Sequence, residues 1–563
     1  MRYSELCEVY ERIGGTTKRL EKTDILSHFL KKVSDKDKDI LYLLLGNIES
    51  SYGEGEIGIS SQTVIKAISK VSGQSEELVI KEWKKIGDLG EVAGKLILNK
   101  KQSTLFSKSL AVDDIVKILK EISKFEGKGT VGKKIDLIAG LLSNSSSIEA
   151  KYIVRTLMAD LRIGIKESTI RDAIALAFFS ENSKEAAIEI QNALDLNPDI
   201  VMIFEHAKKG IKSLKSVSLV TNRPIKAMLA PKVSSIEEGF EVVGKPAAFE
   251  YKYDGFRLII SRDGDKVSLF TRRLDNVTKQ FPEVVSYVKQ YIDAKSFIVD
   301  SEIVGFDPKT KRYLPFQSIS QRIKRKYEIE KMVRDFPVEV NVFDLLMING
   351  KNLLNEPFQE RTKTLREIVR RVPYKIICAK QLITNDEKKA KNFFDEALKE
   401  NQEGVMIKNL NGIYKPGARV GYMVKLKPNQ RDLDLVIVGA EYGTGKRAGW
   451  MSSFILACYD EESGDYLEVG KVGTGIKEKS EEGVSFDDLT QLLKPFIIET
   501  TGKNVKLKPK VVVSITYQEI QKSPTYNSGY ALRFPRVTAL RDDRRASEIN
   551  TLDEVKKEYQ NQK

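Results

Sequence analysis

The stretch Phe249-Glu250-Tyr251-Lys252-Tyr253-Asp254-Gly255-Phe256-Arg257 carries more information than any other part of this chain. Apolar and polar residues alternate along it, which predicts a strand with Glu250 and Lys252 on one face. A lysine at the end of a strand, followed by an Asp-Gly turn, can be a covalent nucleophile, although a surface charge is the simpler interpretation. Ordinary residue usage produces Lys-x-Asp-Gly in about one chain of this length in ten. The motif therefore needs support from the rest of the sequence.

Length and charge narrow the class of protein. A chain of 563 residues is too long for one core and predicts three or four domains. The net charge of +14 and pI near 9.2 favour a polyanionic partner, either nucleic acid or a membrane surface. No apolar run is long enough to span a bilayer, and the N-terminus has no signal-peptide h-region. We therefore expect no membrane-spanning segment.

The few cysteines and histidines exclude several kinds of active site. The three cysteines lie far apart, which favours a reducing cytosol, and they are too few for a four-cysteine zinc site. The two histidines, His28 and His206, both precede the lysine motif. This excludes a Ser-His or Cys-His nucleophile pair, and any histidine metal ligand, in the last two thirds of the chain.

The sequence pattern predicts three regions. Residues 1–215 have helical periodicity, and a turn-rich linker follows. Residues 222–427 mix short strands with helices, typical of an α+β domain without regular βαβ units. Residues 428–563 combine short strands with glycine turns, which suits a β-barrel such as an OB-fold, and the capping-box pattern at Thr551–Glu554 predicts a final helix.

One glycine-rich stretch resembles a phosphate-binding loop but does not fit it. In Gly127–Lys134 the lysine at 134 replaces the magnesium-binding hydroxyl, and the preceding segment is predicted to be a helix, not a strand. We interpret the stretch as a turn between helices. It either contacts a DNA phosphate or is purely structural.

Charged residues suited to phosphoryl transfer follow the lysine motif in sequence. Carboxylates for magnesium occur in the predicted strands at Asp300, Glu302 and Glu403. Cations for phosphates occur at Arg272, and at Lys425 and Lys427 on one strand face. Each could be a solvated charge, and the argument depends on their order and their fit to one reaction.

These motifs together resemble the ATP-dependent DNA ligases, of the archaeal and eukaryotic replicative type, over nearly the whole chain. The motifs in the order of the family are Glu250-Tyr-Lys-Tyr-Asp-Gly-Phe-Arg257, Thr271-Arg-Arg273, Asp300-Ser-Glu-Ile-Val304, Val342-Phe-Asp-Leu345, Glu403-Gly-Val-Met-Ile-Lys408, Val424-Lys-Leu-Lys427, Leu532-Arg-Phe-Pro-Arg536 and Arg541-Asp-Asp-Arg544. The resemblance implies a helical DNA-binding domain, an adenylation domain and an OB-fold domain. It also implies that nicks in duplex DNA are sealed through a lysyl-AMP intermediate, in replication, recombination and repair.

The resemblance implies roles at the nucleotide for five residues. Lys252 would attack the α-phosphate of ATP and hold AMP. Glu250 would hold the adenine edge, mainly through its backbone, and Phe343 would stack on the ring. Arg257 and Glu302 would hold the ribose.

Further residues would act on the phosphates and on magnesium. Arg272 would contact AMP and then the 5′-phosphate of the nick, and Glu403, with Glu302 nearby, would help bind Mg²⁺. Phosphate charge would be stabilised by Arg419, Lys425 and Lys427. Arg541 and Arg544 would orient the leaving pyrophosphate. The chain departs from the family pattern at Met423, often Trp, and at Arg544, usually Lys. Both changes keep the apolar or cationic character, but the planar guanidinium of arginine is not equivalent to a lysine ammonium.

The resemblance also suggests partners. Leu161-Arg-Ile-Gly-Ile165 matches a stretch that approaches the DNA minor groove, and Gln102-Ser-Thr-Leu-Phe106 resembles a peptide that binds a PCNA-type sliding clamp. The second stretch could equally be a loop that ends in a core Leu-Phe pair. We expect a cytoplasmic, nucleoid-associated monomer bound to nicked double-stranded DNA.

Three alternatives stay open at this point. An RNA ligase or a capping enzyme shares the Lys-x-Asp-Gly chemistry but generally lacks a long helical domain in front. An NAD-dependent DNA ligase usually carries a four-cysteine zinc finger, which this chain lacks. The third alternative is a basic DNA-binding scaffold whose lysine motif is inert.

Overall fold

The computed structural model describes residues 1–50, 52–53, 59–98, 110–125, 129–314, 319, 322–323, 327–428, 432–443, 447, 449–478 and 484–561. Within these residues the chain forms two compact units, Met1–Lys427 and Pro428–Lys563. The predicted clamp-binding peptide Gln102–Phe106 lies outside the described residues.

The first unit begins with a helical region, as the periodicity predicted. Apolar residues at helical spacing give each longer helix a buried face, and one continuous hydrophobic core joins them. Several helices begin at a capping serine, such as Ser146, which forms a capping box with Glu149. The α-helices are Tyr3–Gly14, Arg19–Leu30, Ile40–Leu44, Ser61–Ser72, Glu76–Ile86, Leu89–Leu98, Val112–Lys124, Val131–Ser143, Ser147–Leu157, Glu167–Phe178, Ser183–Leu196, Ile200–Lys208 and Ile211–Lys215.

The second half of the first unit contains two sheets. The first has the strand order Lys232–Val233, Met423–Leu426, Gly404–Asn409, Ala247–Lys252, Gln381–Thr384. The second has the order Lys266–Thr271, Phe256–Asp263, Ser296–Phe306, Val338–Ile348, Lys351–Asn352, with Tyr313–Leu314 and Ile376–Cys378 paired to the third and fourth strands. The accompanying α-helices are Ile236–Val243, Pro282–Tyr291, Ile329–Asp335, Phe358–Ile368 and Glu387–Lys399.

The second unit is rich in strands. Its main sheet has the order Tyr466–Val472, Met451–Tyr459, Leu433–Tyr442, Asn504–Leu507, Ile497–Thr501, and Val512–Thr516 pairs with both Leu433–Tyr442 and Arg536–Leu540. A separate hairpin joins Glu519–Lys522 to Tyr530–Arg533. Helices Phe486–Leu493 and Leu552–Asn561 complete the unit.

The predicted fold class is therefore confirmed, with its order of helical, mixed and strand-rich regions. The strands predicted around Lys252, Glu302, Glu403 and Lys425 all have observed counterparts. Their boundaries differ slightly from the prediction because strand ends depend on tertiary pairing, which local pattern does not show. Glu403 and Lys427, for example, were predicted to lie in strands but are each one residue outside Gly404–Asn409 and Met423–Leu426. The segment before Gly127 is a helix, Val112–Lys124, as predicted, whereas a phosphate-binding loop follows a strand. Among the described residues, no helix combines the length and apolarity needed to cross a membrane.

Candidate functional site

A cleft of about 2090 Å³ lies in the first unit and is lined by residues of both its sheets. Ten of the predicted site residues line this one cleft: Glu250, Lys252, Arg257, Arg272, Glu302, Phe343, Glu403, Arg419, Lys425 and Lys427. They come from positions as far apart in sequence as 250 and 427. Strand pairing, not sequence proximity, brings them together.

The register of the first sheet explains why several of these side chains share one face. Lys252 is opposite Gly404, Glu250 is opposite Met406, and Met406 is opposite Lys425. Side chains alternate between the faces of a strand, so paired positions on neighbouring strands project to the same side. The predicted common face of Glu250 and Lys252 is thereby extended across three strands.

Position 404 requires a glycine for two reasons. Its backbone has a φ of +136°, and a Cβ there would lie 2.2 Å from the Leu426 carbonyl oxygen. Only glycine tolerates both conditions. The close approach places the preceding residue, Glu403, beside the lysine strand, where its N–H donates to the Lys252 carbonyl at 2.9 Å.

Glu403 joins two lysines at the centre of the cleft. Its Oε2 lies 2.5 Å from Lys252 Nζ and 2.5 Å from Lys427 Nζ. Burial opposes ionisation of this carboxyl, but the two ammonium groups outweigh it and lower the pKa of Glu403 to about 2. Lys252 is thus held by a carboxylate at one fixed position.

Cations converge on the same place. The pKa of Lys425 is lowered by burial and by the positive charges of Lys252, Lys427, Arg419 and Arg272. An anion bound among these cations would be stabilised by all of their charges. The arrangement fits a polyphosphate.

The second carboxylate of the cleft, Glu302, is in a different environment. Burial raises its pKa to about 8, against the attraction of Lys252 and Arg257 and with a contribution from the negative charge of Glu403. In the described parts of the chain, no cluster of three or more His, Cys, Asp or Glu side chains could hold a metal by itself. Glu302 and Glu403 could hold one only if a bound phosphate or water supplied further oxygen ligands.

The cleft also contains an aromatic ring and, close to it, a carboxylate whose two oxygens both have partners within the protein. Phe343 lines the cleft, and the Lys408 ammonium lies 4.9 Å from the centre of its ring. The Glu250 carboxylate is 2.5 Å from Lys408 Nζ and accepts a hydrogen bond of 2.9 Å from Gln381. Both carboxylate oxygens of Glu250 are therefore engaged within the protein. Lys408 and Gln381 were not among the predicted site residues.

Asp300, predicted as a candidate magnesium ligand, has a different position. It is fully buried, does not line the cleft, and binds the Arg257 guanidinium through both oxygens, at 2.8 and 2.5 Å. Tyr414, which sequence reasoning missed, donates to the same carboxylate at 2.7 Å. The pKa of Arg257 is raised because the charge of Asp300 outweighs its desolvation. The spacing of Asp300 and Glu302, two residues apart on one strand, indicated that both lie on the same face. It did not indicate that Asp300 binds Arg257.

The helical region also reaches the cleft. Its lining includes Glu49, Lys120 and Lys124 from that region, and Lys266 and Lys279 from the mixed region. Periodicity gave no signal for these residues, because each is an ordinary surface charge in its own helix, strand or turn.

Three sequence models cover most of the chain. "DNA ligase N terminus" matches residues 2–175, "ATP dependent DNA ligase domain" matches residues 227–427, and "ATP dependent DNA ligase C terminal region" matches residues 447–544. Similarity to individual proteins extends over full length. The chain is 45% identical to a DNA ligase of Nanoarchaeum equitans, over 100% of this chain and 99% of that one. It is 40% identical to a DNA ligase of Thermococcus onnurineus, over 100% and 98%.

The chain belongs to the ATP-dependent DNA ligases. It seals nicks in DNA and uses ATP, and the alternatives of an RNA ligase, a capping-type enzyme or an inert scaffold are not favoured. A solved structure named Pmar-Lig_PreS3 shares the fold, with a TM-score of 0.56 and 17% identity over 95% of this chain and 99% of that one.

The two remaining predicted residues of the ligase, Arg541 and Arg544, belong to its second unit. Both bind Asp434 there, with Nη1 at 2.7 Å for Arg541 and 3.1 Å for Arg544. The shared carboxylate holds the two guanidinium groups together. Position 544 therefore has a cation although the residue is arginine instead of lysine, and this cation pairs with Asp434, as Arg541 does.

Proposed function

We propose that Lys252 is the nucleophile of the ligase and carries AMP between ATP and the DNA nick. The observation that carries this proposal is the position of the Lys252 amine. It lies 2.5 Å from Glu403 in the cleft that Phe343 also lines, and its charge acts on Lys425 together with those of Lys427, Arg419 and Arg272. An ATP molecule with its base at the ring and its phosphates at the cations presents its α-phosphate to this amine.

The first chemical step forms one bond and breaks another. The neutral Lys252 amine attacks the α-phosphorus, a P–N bond forms, and the bond from the α-phosphorus to the bridging oxygen breaks to release pyrophosphate. Two protons are lost to solvent, one when the Lys252 ammonium becomes the neutral amine and one from the nitrogen after the P–N bond has formed. Arg419, Lys425 and Lys427 stabilise the charge that develops on the phosphate oxygens.

The base and ribose contacts follow from the same placement. Phe343 stacks on the adenine, and the backbone of Glu250 meets its edge while its carboxylate stays bound to Lys408. Arg257 and Glu302 hold the ribose hydroxyls.

Glu302 and Glu403 fit a magnesium ion that is completed by phosphate oxygens. Mg²⁺ is commonly bound through one or two carboxylates together with substrate phosphates. When bound, the ion neutralises phosphate charge. The two carboxylates line one cleft and interact electrostatically, which supports this assignment.

The two later steps use the DNA. The 5′-phosphate of the nick displaces Lys252 from AMP, with Arg272 as its contact, and the 3′-hydroxyl then displaces AMP to form the phosphodiester. Arg541 and Arg544 orient the pyrophosphate in the first step. The net charge of +14 supports binding through the DNA backbone, without reading of bases.

The wider organisation is part of the proposal. We assign residues 1–215 to DNA binding, 222–427 to adenylation and 428–563 to the OB-fold domain with its final helix. Gln102–Phe106 is proposed to bind a PCNA-type sliding clamp. We propose a monomer that works on the DNA of an archaeal cytoplasm, which the archaeal sources of its relatives support.

A labelling experiment tests the assignment of Lys252. The purified chain is incubated with magnesium and ATP labelled at the α-phosphate, and parallel samples contain labelled GTP or NAD. We expect an acid-labile label from ATP that is absent in Lys252→Ala. Lys391→Ala, which removes an exposed lysine paired with Asp395, is the matched control and should label normally. Undiminished label in Lys252→Ala would refute the proposal.

A further inference from the structure

The loop between strands Gly404–Asn409 and Met423–Leu426 places one tyrosine behind the cleft. Tyr414 is only 2% exposed. Its hydroxyl donates to Asp300 Oδ2 at 2.7 Å and accepts from the Met228 N–H at 3.0 Å. A buried hydroxyl with both a donor and an acceptor partner is fixed in one orientation.

Asp300 connects this tyrosine to the cleft. It receives two hydrogen bonds from Arg257, so that the carboxylate and guanidinium form a planar bidentate pair. The Met228 carbonyl accepts a third hydrogen bond from Arg257, at 2.7 Å. Met228 thus contacts the tyrosine through its N–H and the arginine through its carbonyl. The four residues form one closed network.

The network holds the edge of the Arg257 guanidinium that faces the protein interior. The opposite edge of the guanidinium is thereby directed toward the cleft. Of the five N–H donors in this rigid plane, three bind Asp300 and the Met228 carbonyl, and Nη2 also lies 3.4 Å from the Tyr414 hydroxyl, so the direction of the remaining donor capacity is fixed. The centre of the Phe343 ring is 5.5 Å from the guanidinium carbon of Arg257. A nucleotide whose base stacks on that ring has its sugar beside Arg257.

We propose that Tyr414 is a positioning residue for ribose recognition, which acts by fixing the Asp300 carboxylate that orients Arg257. This inference rests on the proposed function, in which Arg257 holds the ribose. Arg419, five residues later on the same loop, also lines the cleft. Tyr414 therefore anchors a loop that contributes to phosphate binding while it orients the arginine that binds the sugar.

The test compares nucleotides that differ only at the sugar. Rates of self-adenylation are measured for Tyr414→Phe with ATP, 2′-deoxy-ATP and 3′-deoxy-ATP. We expect kcat/KM for ATP to fall about tenfold, mainly through KM, because one hydrogen bond to the sugar loses its alignment. For the analogue that lacks the hydroxyl bound by Arg257, the fall should be much smaller, so the preference for ATP over that analogue shrinks by a similar factor.

Equal losses for all three nucleotides, or no loss for any, would overturn the inference, because a general structural defect does not depend on one sugar hydroxyl. Tyr422→Phe is the matched control: this tyrosine is on the same loop, packs under Lys415 and does not line the cleft. It should keep the wild-type preference.

A second variant covers the case in which Tyr414→Phe does not fold. Asp300→Asn keeps the size of the side chain but weakens its hold on Arg257, and it should reduce the same preference. Failure of the proposed function gives a separate result: wild-type protein would form no adduct at Lys252 with any nucleotide.

Discussion

Replacing Arg361 by methionine should destabilise the first unit strongly. Arg361 is 1% exposed and donates to both oxygens of the buried Asp344, at 2.8 and 3.0 Å. It also donates to the Glu356 carbonyl at 2.6 Å and the Gly412 carbonyl at 3.0 Å. The pair therefore joins the strand that carries Phe343, the helix Phe358–Ile368 and the loop after residue 409.

The magnitude follows from the charge that remains. Removing one member of a buried ion pair costs about 3–5 kcal/mol, because the other member stays buried without compensation. Unfolding entropy is roughly 2.1 cal/mol/K per residue, so taking the 427 residues of Met1–Lys427 to unfold together gives about 0.9 kcal/mol/K. Arg361→Met should therefore lower the melting temperature of this unit by about 3–6 °C.

Differential scanning calorimetry of the full chain measures the effect. Lys363→Met, two residues later and exposed on the same helix, is the matched control and should change the melting temperature by less than about 1 °C. The double variant Arg361→Met/Asp344→Leu should recover much of the loss, since apolar residues can replace a buried pair at little cost. A melting temperature for Arg361→Met equal to that of Lys363→Met would refute the reasoning.

Two further predictions concern the catalytic cleft. Gly404→Ala should reduce self-adenylation at least tenfold, because its Cβ would clash with the Leu426 carbonyl and displace Glu403. Gly350→Ala, where φ is +81° and a Cβ has open space, is the control and should retain activity. The pKa of Glu403 is held near 2 because its two lysines outweigh burial, so its ion pairs stabilise the fold above pH about 4.5 and are lost as pH falls toward 2. The difference in unfolding free energy between wild type and Glu403→Gln should shrink across that range, and a constant difference would contradict the prediction.

Local pattern was sufficient for much of the fold. Alternation in the segment around Lys252 predicted a strand with Glu250 on the same face, and the register confirms this. Motif order predicted ten residues that line the cleft. Their roles stay predictions, because a shared position does not show which ligand atom each side chain contacts.

Local pattern could not predict which side chains form hydrogen bonds and ion pairs with each other. Asp300 and Glu302 looked equivalent on one strand, yet Asp300 is bound to Arg257 and Tyr414 while Glu302 lines the cleft. Tyr414 lies more than 100 residues from Asp300, and Lys408 lies a similar distance beyond Glu250. Such pairs arise when the chain folds back across two sheets, and alternation within one strand contains no information about them.

The sequence by itself determined the chemical class of this protein: a lysine motif, with ordered carboxylates and cations, on a basic chain with no histidine after residue 206. These properties belong to residue types and their order, which no folding changes. Only the tertiary structure decided that Glu403 holds Lys252 and that Glu250 is occupied by Lys408. The physical reason is that hydrogen bonds and ion pairs depend on distances of a few ångströms, which only the packed sheets set.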